Sequence, residues 1–212
     1  WSTNPRFQDI ADRKLLNARV RCYGDDIAAV IAESQMAADI AVSKIKVVYE
    51  EYKPMLTVEE AMSEGACVLH EERPDNIVKA TTFEIGDYEA AIKEEGLIKI
   101  EGDYDTPVVS HCHIEPANSW AYMEAGKVVV VAATQLPHLV RRMCAQALGV
   151  GFGDVRIIKP YLGGGFGNRQ DALTEPLYAY LTTRVGGKPV VLAYTREETF
   201  HATRTRHAMK FH

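Results

Sequence analysis

Four glycines and one phenylalanine fill five consecutive positions, Gly163-Gly164-Gly165-Phe166-Gly167, a few residues after a strand-like run that ends at Ile158. Glycine costs roughly 0.5–1 kcal/mol relative to alanine inside a regular element, so this density marks a backbone that turns sharply or meets something a side chain would block. Such a loop also presents backbone N–H groups, and these cradle anionic or hydrogen-bonding cofactors, most effectively where a helix begins just beyond. Two common cradles fail on spacing. A GxGxxG fingerprint read from Gly163 needs its third glycine where Asn168 stands, and read from Gly149 it needs one where Asp154 stands. Neither Gly126-Lys127 nor Gly187-Lys188 has the earlier glycine of a GxxxxGK[ST] loop. The alternative for a glycine-rich loop taken alone is a tight bulge in which glycine merely permits close packing.

A second cluster, His111, Cys112, His113 and Glu115, offers imidazole, thiolate and carboxylate, all of them metal-ligand types. On a strand His111 and His113 would share one face, but no second ligand pair follows, so the histidines read as structural and no metal site is assigned. Cys22, Cys67, Cys112 and Cys144 include no CxxC pair, which excludes a zinc ribbon and a cysteine-ligated iron–sulfur cluster. They read as four buried or free thiols.

The elements that must position these residues come from an ordinary globular composition: 212 residues, 47% hydrophobic and 25% charged. The net charge of −5, with only Arg204, Arg206 and His207 as a basic cluster, argues against a nucleic-acid partner. The longest apolar run of the central region, residues 128–133, is six residues, against the roughly 20 that cross a bilayer, so no membrane partner is expected. No charged and apolar leader opens the chain, which makes a reducing, cytoplasmic setting the expectation. The chain starts at Trp1, and residues 206–212 read as a strand that stops without its turn or partner. Both features suggest a piece of a longer protein.

Periodicity predicts a strand at residues 26–32, a helix capped by Ser34 with Met36, Ala37, Ile40 and Ala41 on one stripe, and a strand at 46–50. A short helix is expected at 57–62, then a linker through 64–80, an acidic helix at 87–95 and a strand at 97–104. Residues 119–124 and 127–133, joined by Ala125-Gly126, read as a hairpin. Pro137 opens a helix with Leu139, Val140, Met143, Cys144, Ala147 and Leu148 on its apolar face, and Gly149 closes it. A strand at 155–158, a helix capped by Asp171 carrying Leu173, Leu177 and Leu181, and a strand at 190–194 complete an α+β pattern without internal repeats. Arg196, Glu197, Glu198, Arg204 and Arg206 read as solvated or fold-stabilising ion pairs.

The segments IIKPYLGGGFGNRQD, ATQLPHLVRR and HCHIEP together resemble the molybdenum hydroxylases, the xanthine dehydrogenase and aldehyde oxidase family. RFQDIADRKLL, YGDDIAAVIA, YEEYKPMLTVEEA and REETFHATRTRHA extend the resemblance along the chain, and bacterial xanthine dehydrogenase molybdenum subunits are the nearest type. It implies that residues 1–58 are part of an α/β hammerhead domain, 59–82 a linker, and 83–212 the first part of a molybdopterin-binding domain. Family members are several times longer, so a partial cofactor site is implied.

The resemblance further implies a molybdenum–molybdopterin cofactor and hydroxylation of purines, related N-heterocycles or aldehydes with water as oxygen source. Iron–sulfur clusters and FAD would lie on other domains or subunits, and the whole protein would be an oligomer. Residue by residue, Gln135 matches the family glutamine that hydrogen-bonds a molybdenum ligand, where the bare sequence reads a helix-cap glutamine. Gly165, Phe166 and Gly167 match the loop against the cofactor, and Phe166 would also face the substrate ring, where the bare sequence reads a core phenylalanine. Gln170 stands where vertebrate xanthine dehydrogenases carry glutamate. An amide there still reads a purine edge but carries no proton; otherwise it is a solvent-facing glutamine beside Arg169. The family's base glutamate belongs to a distant C-terminal segment, so no catalytic residue is assigned in this chain. A non-catalytic scaffold of the same shape is the alternative function.

Overall fold

The structure is a computed structural model, and it describes residues 14–212; the start of the expected first module and most of RFQDIADRKLL lie outside the described residues. Two compact units emerge from it. One comprises residues up to Val48 together with Val109–Arg206, and the other comprises Tyr49–Val108 with His207–His212.

The first unit is built on a four-stranded sheet of β2 (Asn118–Glu124), β3 (Lys127–Ala132), β4 (Val155–Ile158) and β5 (Val190–Ala193), in the order β4-β3-β2-β5. Ala125 and Gly126 both take positive φ, 48° and 74°, the backbone that closes a two-residue hairpin with the twist of its strands. β2 is antiparallel to β3 and β5, while β3 and β4 run parallel. Parallel neighbours need a crossover, and helix α4 (Pro137–Leu148) supplies it. Pro137 sits in the first turn of α4, and Gly149 ends it in the left-handed conformation at φ 67°.

The core forms where Val140, Met143, Cys144 and Ala145 of α4 and Tyr178 and Ala179 of α5 (Glu175–Arg184) meet Ala121, Val128, Val130, Ala132 and Val155 of the sheet. The same unit contains α1 (Gln35–Val42), whose N-cap Ser34 accepts a hydrogen bond from the Ala37 amide, and α6 (Arg196–Ala202).

In the second unit, α2 (Val58–Met62) begins with a capping box between Thr57 and Glu60. α3 (Tyr88–Ala91) is capped by Asp87 and is shorter than the acidic pattern implies. β1 (Tyr104–Thr106) pairs antiparallel with β6 (Met209–Phe211). The strand read at 206–212 therefore has a partner, found about a hundred residues earlier where no local signal points to it.

Three expected strands are absent. Among the described residues, 26–32 and 46–50 join no strand ladder, and of 97–104 only Tyr104 joins one. A strand exists through a hydrogen-bonded neighbour, and apolar alternation alone does not provide one. Asp171 is not a helix cap either. The N-cap of α5 is Thr174, and the Glu175 carboxylate accepts from the Leu173 and Thr174 amides at 2.7 and 3.1 Å. Asp171 is buried and paired with Arg204 instead.

Candidate functional site

The parallel strands β3 and β4 end side by side, and their carboxyl ends are where ligands settle in sheets that carry a crossover helix. Gln135 follows the end of β3, and the glycine loop follows the end of β4.

Gln135 is no helix cap, since α4 has Leu136 as its N-cap and no side-chain cap bond. Its side chain reaches the loop, where Oε1 accepts from the Gly167 amide at 3.2 Å. Because the partner is an N–H, the oxygen must face it, and Nε2 with its two protons is turned elsewhere. The Gln135 backbone N–H donates to the Arg169 carbonyl at 2.9 Å.

The loop's glycines answer the question their density raises. A Cβ on Gly163 would lie 2.6 Å from Cβ of Glu115, one on Gly164 2.9 Å from Cβ of His113, and one on Gly165 2.6 Å from Cδ of Gln135. What lies against these three is the protein's own side chains, so the close-packing reading holds for them. Gly167 differs, with φ 92° and open space where its Cβ would be. Phe166 takes φ 51° and is 73% exposed, so it is not a core residue. The positive φ of a non-glycine residue costs of order 1 kcal/mol and is sustained by the contacts around it.

Two loop amides are spent internally, Gly163 on Glu115 Oε2 at 2.8 Å and Gly167 on Gln135. Among the described residues, those of Gly164, Gly165 and Phe166 have no hydrogen-bond acceptor. Gln170 is exposed, and its amide donates to the Gly167 carbonyl at 3.3 Å.

A buried polar layer underlies the loop. Arg169 is 3% exposed and donates to the Glu115 carboxylate at 2.6 Å and to the carbonyls of Ala133, Glu115 and Pro116. His113 is buried with its two ring nitrogens occupied, Nδ1 by the Glu115 carbonyl and Nε2 by the Asn168 amide at 2.9 Å. That pattern requires the neutral ring, with Nδ1–H donating and Nε2 accepting. Burial, aided by the Arg169 and Arg196 charges, lowers its pKa in the same sense. Asn168 in turn donates to Thr203 and accepts from the Arg204 amide at 3.1 Å. Arg196 does not form the expected ion pair; it donates to the carbonyls of His113 and Ile114 at 2.8 and 2.7 Å.

Sequence reasoning passed over Arg169, Glu115 and Asn168 as partners. Their spacing of about fifty residues has no period, but a carboxylate preceding Pro116 and a cation ending a glycine loop were the visible signal. His111, Cys112, His113 and Glu115 do not converge, and among the described residues no group of three metal-ligating side chains could hold an ion.

A molybdopterin cofactor-binding domain matches residues 69–212, well over half of the chain. The chain belongs to the xanthine dehydrogenase and aldehyde oxidase family. The family's α/β hammerhead domain matches residues 2–53, and the observed mixture of helices and sheets is the expected α+β class. A putative xanthine dehydrogenase molybdenum-binding subunit of Escherichia coli is 41% identical over 209 residues, 98% of this chain and 27% of that protein. The nicotinate dehydrogenase large molybdopterin subunit of Eubacterium barkeri is 35% identical over 199 residues, 93% of this chain and 46% of that protein. The crystal structure of the aldehyde oxidoreductase from Desulfovibrio desulfuricans superposes with a TM-score of 0.87 at 28% identity, covering 93% of this chain and 22% of that one. The chain thus spans about 27% of the Escherichia coli relative's length.

The donor set suits the family's cofactor. Gln135 Nε2 and the amides of Gly164, Gly165 and Phe166 are uncommitted hydrogen-bond donors, without a carboxylate or thiolate among them, and this is what a group presenting oxygens asks for. No helix among the described residues is long and apolar enough to cross a membrane.

Proposed function

We propose that Gln135, Gly165, Phe166 and Gly167 form one wall of a molybdopterin site in an oxidoreductase that hydroxylates purines or related N-heterocycles. The observation that carries this reading is the fixed orientation of Gln135: Gly167 holds Oε1, so Nε2 is left as a neutral donor at the carboxyl ends of β3 and β4. When bound, the molybdenum cofactor supplies oxygen transfer and two-electron redox chemistry. The chain's own part is to bind and orient. Gln135 offers a proton-bearing amide without adding charge, the loop amides of residues 164–166 offer further donors, and Phe166 offers an exposed ring for offset or edge-on contact with a flat substrate, about 0.5–1.5 kcal/mol beyond burial. Gln170 reads the substrate edge as donor or acceptor and carries no proton.

The preference for N-heterocycles over aldehydes rests on the relatives' names: xanthine dehydrogenase at 41% identity and nicotinate dehydrogenase at 35%, against an Escherichia coli aldehyde oxidoreductase subunit at 30% or below. The TM-score of 0.87 to an aldehyde oxidoreductase favours the aldehyde reading as second. Residues 1–58, 59–82 and 83–212 would serve as hammerhead segment, linker and first part of the cofactor domain. Iron–sulfur and FAD partners complete the electron path, in an oligomeric cytoplasmic enzyme.

Metal and pterin analysis of the full-length protein with its partners tests the reading. Molybdenum and pterin near one per chain is the expected result, and a preparation with neither overturns it. Gln170→Ala is expected to shift kcat/KM ratios among xanthine, hypoxanthine and nicotinate, and unchanged ratios remove Gln170 from the substrate site.

A further inference from the structure

A single guanidinium joins the three segments that build this site. Arg169 NH1 donates to Glu115 Oε2 at 2.6 Å and to the Ala133 carbonyl at 3.2 Å, and NH2 donates to the Glu115 and Pro116 carbonyls at 2.7 and 3.1 Å. Its own carbonyl accepts from the Gln135 amide at 2.9 Å and from Thr134 Oγ1 at 3.2 Å. The carboxylate oxygen that takes Arg169 also takes the Gly163 amide at 2.8 Å, and the Glu115 amide donates back to the Gly163 carbonyl at 3.2 Å. Residues 113–116, 133–135 and 163–169 are thereby closed into one ring of contacts.

We infer that Arg169, braced by Glu115, is a positioning residue that sets the register between Gln135 and the glycine loop. It holds the Gln135 Nε2 donor in a fixed place relative to the amides of residues 164–166. Arg169 is 3% exposed and sits behind the loop's donors rather than among them. The residue type matters: a planar fork serves a carboxylate and three carbonyls from two nitrogens at once, whereas a lysine ammonium is one point with three donors. The buried charge is tolerated because a carboxylate and three carbonyl dipoles surround it, and removing either partner strands the other. Three consecutive glycines fit the same device, since they let the loop lie against Glu115, His113 and Gln135 at distances a side chain forbids.

The consequence for catalysis rests on the proposed cofactor site, but the positioning itself does not. The test uses the full-length protein with its partner subunits and the variants Arg169→Lys, Arg169→Met and Glu115→Gln. Amide hydrogen exchange read by mass spectrometry is expected to quicken by about tenfold or more in peptides covering 133–137 and 163–170, with β2–β3 peptides unchanged. In a cycle with Gln135→Ala, Arg169→Lys is expected to lower kcat/KM about 100-fold when Gln135 is present and less than about threefold when it is absent, as for residues acting as a unit. Unchanged exchange in both peptides, a uniform rise across the protein, or an equal kinetic effect in both backgrounds overturns the inference. Arg169→Lys and Glu115→Gln keep it testable where Arg169→Met fails to fold. If local exchange rises in a protein holding neither molybdenum nor pterin, the positioning stands and the cofactor reading falls.

Discussion

Residues 14–112 contain no buried side chain, whereas residues 113–199 contain every buried one that the structure describes. In the first region Val48, Leu56, Phe83 and Ile98 are at least 83% exposed, while in the second Val130, Val140, Met143 and Val155 are fully enclosed. Yet α1, α2 and α3 form without a core, on caps from Ser34, Thr57 and Asp87. The strands expected beside them at 26–32 and 46–50 do not. A helical turn closes its hydrogen bonds between residues a few positions apart, and a cap supplies an acceptor for an end amide, so neither needs a distant segment. A strand satisfies its backbone groups only through a neighbour: before residue 113 the short β1 finds one in β6, while the four-stranded sheet with its buried face lies after it. Local chemistry and packing chemistry are thus separable in this chain, and the candidate site belongs to the second.

The largest expected effect tests packing. Met143→Ala removes a fully buried side chain between α4 and the sheet and is expected to cost about 2–5 kcal/mol in denaturant unfolding of the full-length protein. Ile40→Ala, at a half-exposed position of α1, is expected to stay within about 0.5 kcal/mol. Equal costs would break the contrast.

Gly165→Ala is next. Its Cβ would meet the Gln135 side chain at 2.6 Å, and a displacement near 1 Å at an oriented group costs about 100-fold in rate. Gly65→Ala, where nothing lies within 4 Å, carries only the cost of its positive φ and leaves kcat unchanged. Steady-state kinetics of the two variants distinguish a loop that serves a site from one that serves a turn.

His113 gives the contrast a pH signature. Its folded-state pKa lies below the ordinary 6.5, so the unfolded chain takes up the proton first as pH falls. Its contribution is present above that ordinary value and is lost as pH drops through the folded one. Thermal melts from about pH 7.5 to 5 are expected to show a shallower decline in His113→Asn than in the parent protein. Identical slopes would mean that the ring is not held neutral.

The smallest effect is local. Thr57→Ala removes the capping box of α2 and is expected to cost about 1 kcal/mol. Faster amide exchange confined to residues 57–62 is the readout, and a response in residues 113–199 would show that the two regions are not separable.

Much of the site-bearing region was legible in one dimension. The hairpin around Ala125-Gly126, the crossover helix between Pro137 and Gly149, and the strand at 155–158 all carry turn and cap residues at the places where the chain uses them. Helix α5 was legible in place but not in its cap or its face: Asp171 has the right residue type but is paired with Arg204, Leu173 precedes the helix, and Tyr178 and Ala179 rather than Leu181 reach the core. Gln135 and the loop glycines were singled out, and an intrachain contact between them was not foreseen. Arg169 was noted only as the neighbour of Gln170, because its partners lie 36 to 54 residues away in sequence and no periodicity spans that distance.

Residue types alone were enough for the Ser34 cap, the turn glycines, the apolar face of α4 and the family, because each is a matter of residue type at short spacing or of motif. The tertiary structure alone decided that the glycines are packed against Glu115, His113 and Gln135 rather than left open, that Gln135 turns its oxygen to Gly167, and that Arg169 ties three distant segments together. Those outcomes depend on which backbone groups meet across the sheet's edge, and hydrogen bonds of that kind exist only once the chain has closed its loops.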